Sequence, residues 1–391
     1  MTRQKNADLL IVGGGVLGSF FAYHAQARGL SVILLERQGA PIGATVRNFG
    51  QVVPSGLSGD WQPWGLESLK IYQTIQSRFD ISVRQQGTIY LASNEEELTL
   101  INELHAINSS SGYLSQLWSA AQCCERYPKL RPDYCLGGLF FPDEISVNPR
   151  LMIHQLHKFL SATEGIEIRY RTCVFNLVVD REGSVKATTN AGEEIHADQA
   201  IVCCGSEFQT LFPQEFLASD LQAVKLQMLR LSPQPSQSIN LPGNILTGLS
   251  IRRYESFAEC PSWQAIKSGE PIESFAKKWG VHILFKQEAD GGIILGDSHE
   301  YASVAQSHDL GFDLRSDINQ FMIDEATKIF DLPSWKVETS WFGIYSQSKH
   351  PSGIFTKTID EQIRIVTGIG GKGMTSSPGF TKHFLKEVYD D

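Results

Sequence analysis

The sequence predicts an α/β chain: a Rossmann-like dinucleotide-binding domain made of separated pieces, interrupted by an α+β domain built on an antiparallel sheet. Three observations carry this expectation. The stretch DLLIVGGGVLGSFFAYHAQARGLSVILLE, residues 8–36, reads strand–helix–strand in about 30 residues, the size of a βαβ unit. Buried-strand and amphipathic-helix patterns of the same kind return at 149–205 and again at 360–385. Between them, from about 220 to 335, the texture changes to strands, Pro-rich loops and aromatics such as KLQMLRLS, HILFKQ and GGIILGDS. On this basis 1–80, 145–220 and 336–391 form the nucleotide-binding domain, and 81–144 with 221–335 form the substrate-binding domain.

Taken in order, DLLIV is a short apolar strand ending at Gly13, and VLGSFFAYHAQAR places Leu17, Phe20, Phe21 and His24 on one helical face. Gly29 stops that helix, and SVILLE is a second buried strand. A helix follows over 65–78, a strand over 86–92 and an acidic helix from Asn94. Pro142-Asp143 makes a turn, and PRLMIHQLHKFLS is an amphipathic helix with Pro149 near its first position. Strands are expected at 166–171 and 173–180, a hairpin across 185–196, and a buried strand in ADQAIVCCG at 197–205. The chain closes with a strand in IRIVTG and a helix from Ser377.

The first glycine loop holds the clearest chemistry. Gly13, Gly15 and Gly18 form G-x-G-x-x-G between strand and helix. The first permits the tight turn, the second lets a pyrophosphate approach the backbone, and the third packs helix on strand. The helix N-terminus adds N–H donors and a positive dipole. Glu36 ends the second strand roughly 20 residues further on, placed to accept from a ribose hydroxyl. The pattern fits a dinucleotide, and a fold that returns twice from far along the chain favours the longer FAD over NAD.

Composition narrows the alternatives. The chain has 391 residues, a formal charge of −9 and no run of Lys or Arg, which argues against nucleic acid or anionic lipid as the main partner. No apolar run approaches the roughly 18 residues of a membrane span, and the N-terminus has no signal-peptide pattern, so a cytoplasmic protein is expected. Seven scattered cysteines, without a CxxC, suit neither a disulfide framework nor a zinc site. His154 and His157 lie one helical turn apart without acidic partners, which reads as an amphipathic helix face; no metal is expected.

On these residues the chain resembles the D-amino acid oxidase superfamily, the flavin amine oxidoreductases that include glycine oxidase and sarcosine oxidase. The opening βαβ unit, the NPRLMIHQL helix, the strand to Val174, ADQAIVCCGSE and GIGGKGMTSSPG carry the resemblance over nearly the whole chain. ATVRNFGQVVPSG, KLQMLRLSP, GDSHEY and WFGIYSQS are similar to a narrower clade associated with aminophosphonate breakdown.

The resemblance implies a glutathione reductase-like fold and FAD. Gly13, Gly15, Val16, Leu17 and Gly18 would line the pyrophosphate, with Glu36 and Arg37 at the adenosine. Ala44, Thr45, Arg47 and Asn48 would contact phosphate and flavin. Val174, Cys204 and Gly205 would close over the nucleotide, and Gly343, Gly371, Lys372, Gly373, Met374 and Thr375 would meet the ring. Sarcosine oxidases link their flavin through a cysteine near Gly343-Ile344-Tyr345, and no cysteine follows Cys260, so non-covalent FAD is expected.

Glycine oxidase relatives carry a carboxylate-binding Arg in that same stretch, where this chain has Tyr345; a bidentate Arg fork suits a planar carboxylate. The expected reaction is therefore oxidation of a small anionic amine, an aminophosphonate or similar, by hydride transfer to flavin N5. Oxygen or another acceptor would reoxidise the flavin. A 2-hydroxy acid or an α-amino acid is the alternative substrate, and a nucleotide-binding module without turnover the alternative class. Lys372 and Asn48 are the candidate catalytic residues. Arg47, Gln227, Tyr254 and Tyr345 are the first candidates to bind substrate, with Lys225, Arg252, Arg253 and Lys349 behind them. Asp297 and His299 alternate at a strand end as a candidate acid–base pair.

Overall fold

The computed structural model describes residues 6–235 and 239–390. Parallel strands form where short runs of Val, Ile and Leu are buried on both faces. Ile166–Tyr170, Val32–Glu36, Ala7–Val12, the second half of Glu194–Val202 and Ile363–Thr367 lie side by side in that order, all parallel. The register is fixed by pairs such as Leu9 with Val32 and Ile201 with Arg364. Two further strands, Val174–Val179 and Val185–Thr189, extend the first half of Glu194–Val202 as an antiparallel meander. Phe355–Ile359 adds an antiparallel edge.

Helices cover this sheet with the faces their spacing dictates. Val16–Ala27 buries Phe20, Phe21, Ala22 and Ala25, and Pro149–Ser161 buries Met152, Ile153, Leu156 and Leu160. Asn148 caps the latter, its side chain accepting from Leu151 N. The last helix, Gly373–Asp390, lies against Val16–Ala27 and Trp61–Gln76 and begins four residues ahead of the expected Ser377.

A second sheet is almost wholly antiparallel. Its long strand Leu221–Leu231 pairs along one edge with Val337–Ser348 and along the other with Glu300–Ser303 and Ile293–Gly296. Leu284–Gln287, Asn244–Leu246, Thr88–Ala92, Gly137–Phe141 and Gln116–Ser119 continue it. Val337–Ser348 thus pairs with the second sheet, whereas a boundary at 336 groups it with the first. The region expected as strands and loops also holds a helix, Ser316–Ile329, burying Ile318, Met322, Ala326 and Ile329.

The two sheets are tied together at a crossing segment. Buried Lys286 donates from Nζ to Phe49 O at 2.6 Å and Val147 O at 2.7 Å, with Glu288 Oε1 at 3.0 Å. A cavity runs from the C-terminal ends of the parallel strands across to the second sheet, where ligands of open α/β folds bind.

Candidate active site

The cavity, about 1410 Å³ in volume, extends from Glu36 and Arg37 through the glycine loop to Tyr254, Asp297 and His299 on the second sheet. Drug-sized ligand sites occupy roughly 300–1,000 Å³, so this one suits a dinucleotide with a substrate beside it.

At the first end the glycine loop is shaped by backbone approach. Gly13 sits at φ +109°, and a Cβ on it would stand 2.3 Å from Cys203 O; a Cβ on Gly18 would stand 2.0 Å from Gly13 O. Neither position has room for a side chain. Glu36 fixes the loop through Oε2, which accepts from Gly14 N at 3.0 Å, while Oε1 accepts from Gln38 N at 2.9 Å. Thr45 Oγ1 accepts from Val16 N at 3.0 Å, leaving its own O–H to donate into the cavity. Behind the loop, buried His157 faces Gly14 O and Ser19 Oγ at 2.9 Å each and Tyr170 Oη at 2.8 Å. Burial pulls its pKa down to about 4.

The residues fit FAD on these grounds: the side-chain-free cradle, the helix N-terminus behind it, and Gln51 Nε2, a buried donor on the cavity wall that has no partner in the protein. Gly13, Gly15, Val16 and Leu17 would face the pyrophosphate, and Glu36, Arg37, Val174, Cys204 and Gly205 the nucleotide. Ala44, Thr45, Arg47, Asn48 and Gly343, with Gly371, Lys372, Gly373, Met374 and Thr375, line the middle stretch. Gly18 alone of the proposed cofactor residues does not line the cavity; it packs helix on loop from behind.

Two candidate residues have their side chains taken up within the protein, and one of them, Gln227, does not reach the cavity. Asn48 borders the cavity, but Nδ2 donates to Ala44 O and Thr45 O at 2.9 Å each and Oδ1 accepts from Gly50 N at 2.7 Å. A tight loop leaves backbone groups unpaired, and Asn48 satisfies them, so its side chain is held by its own loop at the cavity edge. Gln227 points to the other face of its strand. Its Oε1 accepts from Arg315 N at 2.9 Å and its Nε2 donates to Arg315 O at 2.7 Å, anchoring the helix Ser316–Ile329 away from the cavity. Lys225, Arg252 and Lys349 do not line the cavity either. Arg252 is taken up by Glu96, Glu97 and Glu270.

Arg47 lines the cavity with its guanidinium on Ile42 O at 2.8 Å and Phe342 O at 3.0 Å. It joins the loop to the strand Val337–Ser348 where Gly343 passes close by. Lys372 Nζ stands 3.6 Å from Glu255 Oε1 and 5.1 Å from the centre of the Trp61 ring.

At the far end the walls are Tyr254, Tyr345, Arg253, His282, Asp297 and His299. Burial raises the Tyr254 and Tyr345 hydroxyls well above their ordinary range, so both are neutral donors. Arg253 Nη2 donates to Tyr301 Oη at 3.0 Å, and its charge also reaches the Asp297 carboxylate across the chamber. His282, Asp297 and His299 are all buried, with one ligand-type atom from each lying within 4.8 Å of the others. Burial pushes the Asp297 carboxyl up, but its neighbours, His282 first and the Arg253 charge among them, outweigh it and hold it below the usual carboxylate range. Burial brings His299 down to about 3, so it is neutral. Sequence patterns do not single out His282 or Gln51. His282 sits just before a buried strand and carries no local motif; Gln51 lies inside the stretch ATVRNFGQVVPSG.

Fold and cavity together define a dinucleotide-dependent protein with a separate ligand chamber. Residues 8–385 match the family model for DAO, FAD dependent oxidoreductase, and the chain belongs to that family. It is an FAD-dependent oxidoreductase. It is 25% identical over 373 residues to an opine oxidase subunit of Rhizobium meliloti, covering 89% of this chain and 87% of that one. The fold is similar to glycine oxidase from Geobacillus kaustophilus (TM-score 0.75, 17% identity, 99% of this chain and 95% of that). It is also similar to L-α-glycerophosphate oxidase from Mycoplasma pneumoniae with FAD bound (TM-score 0.75, 16% identity, 98% and 95%). Among the described residues no helix is long and apolar enough to cross a membrane.

Proposed function

We propose that the protein oxidises a small anionic amine at non-covalent FAD, with an aminophosphonate as the leading substrate. The observation that carries this reading is Arg253: a guanidinium on the chamber wall whose partner is the Tyr301 hydroxyl at 3.0 Å rather than a carboxylate. A guanidinium on the chamber wall with no carboxylate hydrogen-bonded to it is suited to an anionic substrate group. Relatives and structural neighbours named as opine oxidase and glycine oxidase support an amine as the reacting group. The similarity of ATVRNFGQVVPSG and GDSHEY to the aminophosphonate-associated clade supports a phosphonate, as does Tyr345 standing where a carboxylate-binding Arg would be.

FAD, when bound, supplies a two-electron acceptor for the hydride lost from the carbon beside the amine. The chain's own residues do the rest. Arg253 holds the anion, and the rings of Tyr254 and Tyr345 exclude water and restrict the substrate's approach. Lys372 and the N-terminus of Gly373–Asp390 supply a positive field to the middle of the cavity, where negative charge develops during reduction. Oxygen or another electron acceptor takes the electrons afterwards.

The test is anaerobic bleaching of the flavin bands against amino acids, N-methyl amines, aminophosphonates and 2-hydroxy acids. Reduction by aminophosphonates, with Arg253→Met raising their half-saturation roughly 10- to 100-fold as expected for a lost charged hydrogen bond, is the predicted result. Bleaching by hydroxy acids or by carboxylate amino acids alone would reject it.

A further inference from the structure

We propose that Asp297 is the receptor for the substrate's ammonium group, so that the chamber is a zwitterion site with Asp297 at its cationic end and Arg253 at its anionic end. This rests on the amine reading and specifies how that site would recognise its ligand.

The starting point is an oxygen without a donor. Asp297 Oδ1 is buried on the chamber wall, and no hydrogen bond is directed at it. His282 Nε2 comes within 2.6 Å, inside ion-pair reach, yet its ring N–H does not line up with the oxygen. The other nitrogen, Nδ1, is 3.2 Å from Ser250 Oγ. His299 is committed as well: its Nδ1 is 3.0 Å from Gly280 O, which can only accept, so that nitrogen carries the proton and turns it away from the carboxylate 3.7 Å off. Two histidines therefore flank Asp297 without supplying the hydrogen bond its Oδ1 lacks.

A buried carboxylate oxygen with no donor is costly, by several kcal/mol if left unpaired. A primary or secondary ammonium ion answers both needs at once, bringing N–H donors and a positive charge. The neutral His299 leaves the carboxylate's charge uncancelled on that side. Arg253 supplies the complementary end: its Nη1 would lie 3.2 Å from a Cβ built on Gly280, the residue whose carbonyl holds His299. A ligand bearing an ammonium and an anionic group a few bonds apart meets both charges. A 2-hydroxy acid brings no cation and leaves Asp297 unanswered. A divalent metal on the same three ligand atoms is the competing occupant, disfavoured by the nearby guanidinium and by the proton on His299 Nδ1.

The experiment reads binding rather than turnover, through the visible difference spectrum of the bound flavin. Methylammonium, methanol and methylphosphonate are titrated into the wild-type holoenzyme and into Asp297→Asn with matched flavin content. Methylammonium is expected to bind the wild type far better than methanol, and Asp297→Asn to weaken it roughly 10- to 150-fold, the range of a charged hydrogen bond. Methylphosphonate should change less than threefold, on the order of the scatter for a residue that does not touch it. Equal loss of both probes, or no loss of methylammonium, overturns the proposal. So does stoichiometric zinc, iron or manganese by elemental analysis that disappears in Asp297→Asn. If that variant loses its flavin, the wild-type comparison decides: methanol binding as well as methylammonium overturns the proposal. A wild type that binds methylammonium but is bleached by no amine keeps the ammonium site and rejects the amine-oxidation reading. One that oxidises amines with no Asp297 dependence does the reverse.

Discussion

The two ends of the cavity are built in different ways. At the cofactor end the contacts come from backbone: glycines with no room for a Cβ, a helix N-terminus, and Glu36 and Thr45 side chains that pin the loop. At the chamber end they come from side chains on separate elements, Arg253 and Tyr254 after one short helix, His282 before a strand, Asp297 and His299 after another, and Tyr345 on a fourth. A backbone cradle needs only a few adjacent residues with the right conformational freedom, so it leaves a compact motif. A side-chain chamber needs the sheet to bring distant residues together, so it leaves none.

The largest test of this contrast falls on the cofactor end. Gly18→Val places a branched side chain where Gly13 O stands 2.0 Å from a bare Cβ, so helix and loop separate. We expect loss of bound FAD, read as the ratio of flavin to protein absorbance after gel filtration, together with several kcal/mol of stability, as for other overpacked backbone contacts. Full flavin occupancy in this variant would mean that the loop is not the cradle.

The second test sets opposite pH slopes against each other. Glu144 lies in the turn between two strands that pair in different sheets, its Oε1 accepting from Tyr113 Oη at 2.6 Å and Ser55 N at 2.8 Å while Oε2 has no partner. Burial raises its pKa to about 7. The folded state therefore holds this proton where the unfolded chain has released it. Its contribution is intact below about pH 4.5 and is lost as pH rises through 7, by a few kcal/mol at about 1.4 kcal/mol per unit. His157 behind the glycine loop, lowered to about 4, works the other way: stability is intact above its ordinary 6.5 and is lost as pH falls toward 4. Melting temperatures across pH 4–8 should lose their decline toward high pH in Glu144→Gln. His157→Asn should flatten the low-pH decline and the acid release of FAD. Unchanged profiles would remove either group from that role.

The smallest effect is expected at Lys372. Its ammonium sits between Glu255 and Trp61 on the cavity wall, partly solvated, and an interaction of that kind is worth about 1 kcal/mol. Lys372→Met should slow flavin reduction or reoxidation by roughly tenfold or less with FAD retained. Stopped-flow traces of both half-reactions matching the wild type would exclude it from the field around the ring.

The cofactor end is legible from short stretches of chain. Strand, helix and strand over 8–36 follow from a run of aliphatics, a helical apolar face and a stopping glycine, and the structure has Ala7–Val12, Val16–Ala27 and Val32–Glu36. Asn94 starts the acidic helix by its capping chemistry; its side chain accepts from Glu97 N. The helix Ser316–Ile329 is harder to see: Ile318, Met322, Ala326 and Ile329 carry a helical period, but strands and prolines dominate its surroundings. The partners of Asn48 and Gln227 are hidden in the sequence for a common reason. A polar residue in a loop, or one alternating along a strand, gives no sign of which neighbour satisfies it. In the fold Asn48 closes its own loop, and Gln227 anchors a helix.

The glycine-loop end of the cofactor site is therefore a property of local sequence, since a glycine loop between strand and helix is short-range physics. The chamber comes from tertiary assembly alone. The buried carboxylate of Asp297, the histidines beside it and the Arg253 guanidinium share one chamber because residues far apart in the chain meet across two sheets. Burial then removes the water that would otherwise satisfy them.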